Sequence, residues 1–221
     1  MNEKDMTSIK TGNDYIKSLR NRNLNVYLLG EKISEPVDHP IIRPSINAVA
    51  KTYDLATEYP DLGTAVSPFT KKRINRFLHI AETPNDVVLQ NKMQRRLGQK
   101  TGTCFQRCVG MDALNALFSV TYEIDAQHSS DYHQRFKNFI IKMQNSGYVI
   151  GGAMTDVKGD RSLAPNEQND PDLYVHITKR TRDGVYISGA KAHQTGCINS
   201  HWMIVMPTLR LGVKDIDYAI V

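Results

Sequence analysis

At 221 residues the chain has room for one domain or two and for a real core, and 40% hydrophobic with 23% charged residues is the balance of an ordinary soluble globular protein. Three cysteines exclude a secreted disulfide framework, and no run reaches the about 18 apolar residues of a membrane span. A net charge of +5 spread along the chain argues against a nucleic-acid partner, which wants a basic cluster interleaved with aromatics.

The opening Met1-Asn-Glu-Lys-Asp-Met6 is charged and has no apolar signal core behind it, so the expected compartment is a reducing cytoplasm. Tyr15, Ile16 and Leu19 share one side of a short helix starting near Asn13, and Leu24, Val26 and Leu28 alternate in an extended piece ending at Gly30. Pro36, Pro40 and Pro44 forbid regular helix between Gly30 and Pro44. Ser45 then reads as the N-cap of a helix with Ile46, Val49, Tyr53 and Ala56 at helical spacing, stopped by Pro60 and Gly63. The run Lys71-Lys72-Arg73 with Arg76 reads as a solvated helix face.

Thr83-Pro84-Asn85-Asp86 opens the next helix with a cap, a proline in the first turn and an acid at the third position. Its expected inward residues are Val87, Val88, Met93 and Leu97, with Lys92, Arg95 and Arg96 outward. Two further apolar stripes follow, Met111-Leu114-Leu117-Phe118-Tyr122 and Tyr132-Phe136-Phe139-Ile140-Met143. After Gly147 the period changes. Alternating segments joined at Asp183-Gly184 predict a hairpin, and residues 202–211 and 218–221 read as further strand. The expected organisation is α+β: a helical domain over 1–147 and a β domain over 148–221, the latter ending in mid-strand as if truncated.

Three stretches carry chemistry. Residues 101–111 hold Cys104 and Cys108, with Thr103 and Gln106 spaced as a capping box. That places Cys104 in a first helical turn with both sulfurs on one face, and its thiol at the positive end of the helix dipole, which favours thiolate. The same spacing suits two small buried apolar residues, and it is not the Cys-x-x-Cys of common zinc or iron–sulfur sites. Residues 151–161 mix glycine, hydroxyl, acid and base, a set fit to grip a polar cofactor edge or to form a surface turn. Residues 191–201 include His193, Thr195, Cys197 and His201, too polar for a core strand, and the histidine spacing matches no common zinc pattern.

Together these stretches resemble the 4-hydroxybutyryl-CoA dehydratases, which also carry vinylacetyl-CoA isomerase activity, within the flavoprotein group that includes 4-hydroxyphenylacetate 3-hydroxylase. The likeness lies in Val37-Asp-His-Pro with Ile42-Arg-Pro-Ser-Ile-Asn, in 93–111, in Thr121-Tyr-Glu-Ile-Asp, in Ala153-Met-Thr-Asp with Lys158-Gly-Asp-Arg, and in Ala190-Lys-Ala-His-Gln-Thr-Gly with Ile198-Asn-Ser-His. It runs from about Asp14 to the C-terminus. The resemblance implies an acyl-CoA dehydrogenase-like fold with a β-barrel-like second domain, a homotetramer, an acyl-CoA substrate, non-covalent FAD and a 4Fe-4S cluster.

By the same resemblance Cys104 and Cys108 are cluster ligands, with the remaining cysteine and histidine ligands beyond Val221. Met154, Thr155, Asp156, Lys158, Gly159, Asp160 and Arg161 match the loop along FAD, and His193 and Thr195 match further flavin contacts, Thr195 near the reactive part of the ring. Gln106 matches a residue of the active-site wall, while Cys197 stands where a small residue such as serine is expected. The implied reaction is a radical dehydration of 4-hydroxybutyryl-CoA to crotonyl-CoA, and this length of chain alone is expected to be inactive. A flavin-dependent aromatic hydroxylase is the alternative, and the cysteine pair argues against it.

Overall fold

The computed structural model describes residues 8–221; residues 1–7, which hold the charged start, lie outside the described residues. Helices dominate up to residue 146 and short strands follow. By their internal contacts the residues form two compact units. The first contains everything up to Gly151 together with Ile198–Trp202, and the second contains Gly152–Cys197 and Met203–Val221.

In the first unit, α1 (Gly12–Ser18) is opened by a capping box in which Thr11 accepts from the Asp14 amide and Asp14 reaches back to Thr11. A hairpin of β1 (Val26–Leu28) and β2 (Glu31–Ile33) follows. Helix α2 (Arg43–Glu58) begins two residues before Ser45, on Ile42, with Pro44 in its first turn. Ser45 is therefore not the cap. Its hydroxyl donates to the Ile42 carbonyl at 2.8 Å. The helix ends at Glu58, just before Pro60 as expected, and Pro60 then opens a separate single turn, α3 (Pro60–Gly63).

The basic run is not a helix face. Strand β3 (Thr64–Val66) pairs with β4 (Arg73–Asn75), and Arg76 is buried just beyond, donating to the carbonyls of Asp61, Leu62 and Thr64. Burial pulls the Arg76 guanidinium below its ordinary value.

Helix α4 (Pro84–Thr101) has the Thr83–Asp86 capping box that its sequence announces, and closes on Gly102 in the left-handed region (φ 61°). Met93 and Leu97 are buried, whereas Val87 and Val88 are exposed, contrary to the apolar pattern. The long α5 (Cys108–His128) packs on α6 (Tyr132–Ser146), and Ile140 and Met143 are completely buried. The core cluster of this unit is Leu55, Phe77, Met93, Leu97, Phe105 and Met111, with Cys108 packed against its edge.

Strand β5 (Ile150–Ala153) pairs with β8 (Trp202–Val205), and the chain passes from the first unit into the second along β5. The second unit holds the hairpin β6 (His176–Thr181) and β7 (Gly184–Ser188), expected from Asp183-Gly184 and turned at Arg182-Asp183 with Gly184 paired to Thr181, with a bulge between Ile177 and Lys179. Its last residues are not strand. Val213–Tyr218 forms 3-10 turns, because the Asp215 carboxylate accepts from the Gly212 amide and closes the segment locally. Among the described residues no helix is long and apolar enough to cross a membrane.

Candidate functional site

The cysteine stretch lies in the first unit. Thr103 caps no helix: α4 has just ended at Gly102, and α5 begins only at Cys108. The two cysteines thus sit in different local structures, Cys104 in an exposed loop and Cys108 as the first, half-buried residue of a helix. The reason lies in the residues between them. Phe105 and Arg107 both turn inward, Phe105 against the Phe77 ring at 5.6 Å and Arg107 between the rings of Tyr53 (4.8 Å) and Phe77 (4.7 Å). Cys104, alternating with them, is left exposed, and Gln106 half-buried. The backbone there is an irregular turn, with Gln106 in the left-handed region and Arg107 in the right-handed one, and it overrides the helical spacing read from the sequence.

Gln106 has φ 60°, a conformation that a non-glycine residue seldom adopts and that has to be held in place. Its amide N–H donates to Cys104 Sγ at 3.3 Å, and its side-chain Oε1 accepts from Asn199 Nδ2 at 2.6 Å. Cys108, at the start of the helix, is not made easier to ionise. Burial pushes its thiol up and the neighbouring Cys104 sulfur adds to this, against the pull of the Val109 and Cys108 amides.

Two residues of this region escaped the sequence reading. Arg107 is fully buried, with Nη1 donating to Thr52 Oγ1 at 2.8 Å and no hydrogen-bond partner for Nη2. Burial pulls its guanidinium well down. A charged residue between two cysteines looks like surface, and only the alternation of the loop puts it inside. Asn199 is buried too, and its distance along the chain from residue 106 hid the pairing.

His201, weighed above as a metal ligand, is a buried structural residue. Its Nδ1 accepts from the Val149 amide at 3.1 Å, so Nε2 carries the proton and donates to Ser18 Oγ at 2.9 Å. Burial, with Arg22 and Arg107 nearby, drives its pKa down to about 3, so the ring is neutral.

In the second unit, residues 153–161 and 190–196 are laced together. Ala192 N–H donates to the Thr155 carbonyl at 2.9 Å, and Asp156 and Lys191 form an antiparallel bridge. Lys191 Nζ donates to the carbonyls of Met154 (3.0 Å) and Met206 (2.6 Å) and to the Asp156 carboxylate, which also accepts from Thr208 Oγ1 at 2.6 Å. The pair is nearly inaccessible, with side chains 8% and 3% exposed. Asp156 is therefore spent on holding its own loop, and its carboxylate does not face outward.

Met154, Gly159, Asp160, Arg161, His193, Thr195 and Cys197 are exposed, while Thr155 and Lys158 are half-buried. Lys158 (φ 82°) and His193 (φ 54°) stand in the left-handed region, Lys158 with its carbonyl fixed by Tyr174 Oη at 2.8 Å. Asp160 takes the Ser162 hydroxyl and amide, and its own amide and carbonyl are held by Gln168. The result is a pair of rigid polar loops with backbone and side-chain groups on their outer side.

The model of the family described as 4-hydroxyphenylacetate 3-hydroxylase N terminal matches residues 11–221. The chain belongs to that family. Within it, 52% identity over 214 residues relates the chain to the 4-hydroxybutyryl-CoA dehydratase/vinylacetyl-CoA-Δ-isomerase of Clostridium aminobutyricum, covering 96% of this chain and 44% of that one. Among solved structures, the oxygen-tolerant archaeal 4-hydroxybutyryl-CoA dehydratase from N. maritimus superposes with a TM-score of 0.93 at 64% identity, over 96% of this chain and 42% of that one. The oxygenase component of 4-hydroxyphenylacetate 3-monooxygenase, complexed with FAD, has the same fold at a TM-score of 0.74 and 24% identity, over 95% of this chain and 43% of that one. The chain spans less than half the length of these relatives.

Proposed function

We propose that this chain is the cysteine- and flavin-loop-bearing part of a 4-hydroxybutyryl-CoA dehydratase with vinylacetyl-CoA isomerase activity. The observation that carries the reading is the pinned loop that presents Cys104 and Cys108 with Gln106 between them, in a chain 64% identical to a solved dehydratase. Cys104 and Cys108 are two of the thiolates a 4Fe-4S cluster needs, and the Gln106 amide aimed at Cys104 Sγ is the kind of donor that steadies a ligating sulfur. Among the described residues no third histidine, cysteine or carboxylate gathers with them. The donor set therefore fits half of a cluster site, and further ligands would have to come from elsewhere in the functional protein.

FAD is assigned to the second unit, with Met154, Thr155, Lys158, Gly159, Asp160, Arg161, His193 and Thr195 as its contacts and Asp156 acting through Lys191 to hold them. When bound, flavin and cluster supply one-electron chemistry and a Lewis acid for the departing hydroxyl. The chain's own residues bind and orient: rigid loops cost little ordering on binding, and Gln106 offers its side-chain amide to the acyl group. The broader architecture is read as acyl-CoA dehydrogenase-like, the assembly as a homotetramer in the cytoplasm, and the substrate as an acyl-CoA.

Flavin, iron and sulfide analysis of the complete protein, with turnover of 4-hydroxybutyryl-CoA, tests this. Flavin together with iron and sulfide is expected. Flavin without iron would point instead to the aromatic hydroxylases of the same family.

A further inference from the structure

The direction of each hydrogen bond around Gln106 can be worked out from one fixed point, a helix carbonyl. The Ile42 carbonyl can only accept, so the Ser45 hydroxyl spends its proton there at 2.8 Å. Ser45 Oγ is then an acceptor toward Asn199, which must turn its Nδ2 amine to it, at 3.0 Å. The same Nδ2 donates its second proton to Gln106 Oε1 at 2.6 Å. With Oε1 taken inside, the outward end of the Gln106 amide is Nε2, which carries two N–H bonds.

Asn199 is itself 3% exposed, its backbone carbonyl accepts from Tyr15 Oη at 2.7 Å, and its Oδ1 has no partner. Its orientation is thus imposed by its donor side alone. An Asn turned over to satisfy Oδ1 would set two acceptors against each other at Ser45, whose proton is committed to Ile42.

We propose that Asn199 is the positioning residue that sets the hydrogen-bonding sense of Gln106, so that Gln106 meets the substrate as an N–H donor to an oxygen acceptor. This rests on the reading of Gln106 as facing an acyl-CoA. The acceptor is either the thioester carbonyl or the 4-hydroxyl oxygen, chemically equivalent partners for an amide N–H.

The test uses two substitutions in the complete protein, read in two ways. Asn199→Ala removes the hold, and hydrogen–deuterium exchange of the amides at 103–107 is expected to rise about tenfold while α1 and α2 keep their protection. Should that variant not fold, Gln106→Met breaks the same bond from the half-exposed side and is expected to give the same rise. Asn199→Asp keeps the shape and, at a pH where the new carboxyl is ionised, can only accept, so Gln106 turns its Nε2 inward and offers Oε1 to the substrate. Loop exchange should stay as in the wild type, while kcat/KM for 4-hydroxybutyryl-CoA drops about tenfold. A merely structural asparagine would lower folding stability in this isostere and leave kcat/KM unchanged.

Binding of butyryl-CoA, which lacks the hydroxyl, separates the two acceptors: Asn199→Asp weakens it if the carbonyl is the partner and leaves it unchanged if the hydroxyl is. Wild-type kcat/KM in Asn199→Asp overturns the donor assignment, and unchanged loop exchange in both Asn199→Ala and Gln106→Met overturns the positioning role. A wild-type protein that turns over no 4-hydroxybutyryl-CoA but loosens at 103–107 in these variants would defeat the proposed function and leave the positioning role standing.

Discussion

The two chemically loaded regions of this chain are made rigid by opposite means. Around the cysteines the loop is pinned by apolar and aromatic burial: Phe105 on Phe77, and a guanidinium slid between two rings and bonded to the Thr52 hydroxyl. Around residues 153–161 and 190–196 the loops are pinned by polar groups, above all the buried Lys191–Asp156 pair and the carbonyls that share the ammonium. The first arrangement relies on water being excluded from a surface and tolerates small shifts in distance. The second relies on complementary charges inside a small unit, where losing one partner leaves the other stranded. Fragility should therefore be concentrated in different kinds of residue on the two sides.

The largest effect is expected in the second unit. Lys191→Met strands the Asp156 carboxylate with Thr208 as its remaining side-chain partner, and should cost about 3–5 kcal/mol. Adding Asp156→Leu should restore much of that loss, measured by urea unfolding followed by a probe in this unit. A double variant no more stable than the single one would mean that the pair is not what holds the loops.

In the first unit the sharpest single test is Gly110, in the first turn of α5 beside Cys108. A Cβ there would lie 1.9 Å from the Ile150 carbonyl oxygen, so Gly110→Ala must push that turn away from the start of β5. The expected cost is about 2–3 kcal/mol, by the same measurement with a first-unit probe. Little change would show that the close approach gives way easily and that packing matters less here than the comparison claims.

The smallest effect is a pH response of the first unit. His201 is held neutral when folded, its pKa near 3 against an ordinary value of 6.5. The unfolded chain binds a proton at a pH where the folded one does not. Stability from this site is thus complete above about pH 6.5 and declines as pH falls toward 3, by at most about 1.4 kcal/mol per unit. His201→Gln should flatten the difference between unfolding at pH 7.5 and at 5.5, and an undiminished slope in that variant would assign the effect to other groups.

Local order was legible wherever it is made by neighbours in sequence. The Thr83–Asp86 cap, the hairpin around Asp183-Gly184, the short first helix and the buried Met93 and Leu97 all follow from hydrogen bonds or periodicity within a few residues. The same logic failed at Thr103, Ser45, Val87, Val88 and the basic run, where a plausible local signal was outvoted. Ser45 gave its hydroxyl to Ile42, and Arg76 found three carbonyls from another segment. Residues 218–221 carry β-forming side chains but pair with no strand among the described residues, so they are not strand.

By itself the sequence determined that a mainly helical part precedes a strand-bearing one, the family, and where the cysteine-, glycine- and histidine-bearing stretches lie, since these are written in residue type and spacing. The tertiary structure alone decided that Cys104 lies in a loop and Cys108 opens a helix. It also decided that Arg107 is buried, that Asp156 and Lys191 neutralise each other, and that Asn199 holds Gln106. Each of these depends on a partner tens of residues away. Burial and hydrogen-bond direction belong to the folded arrangement, and no window along the chain contains both halves of such a pair.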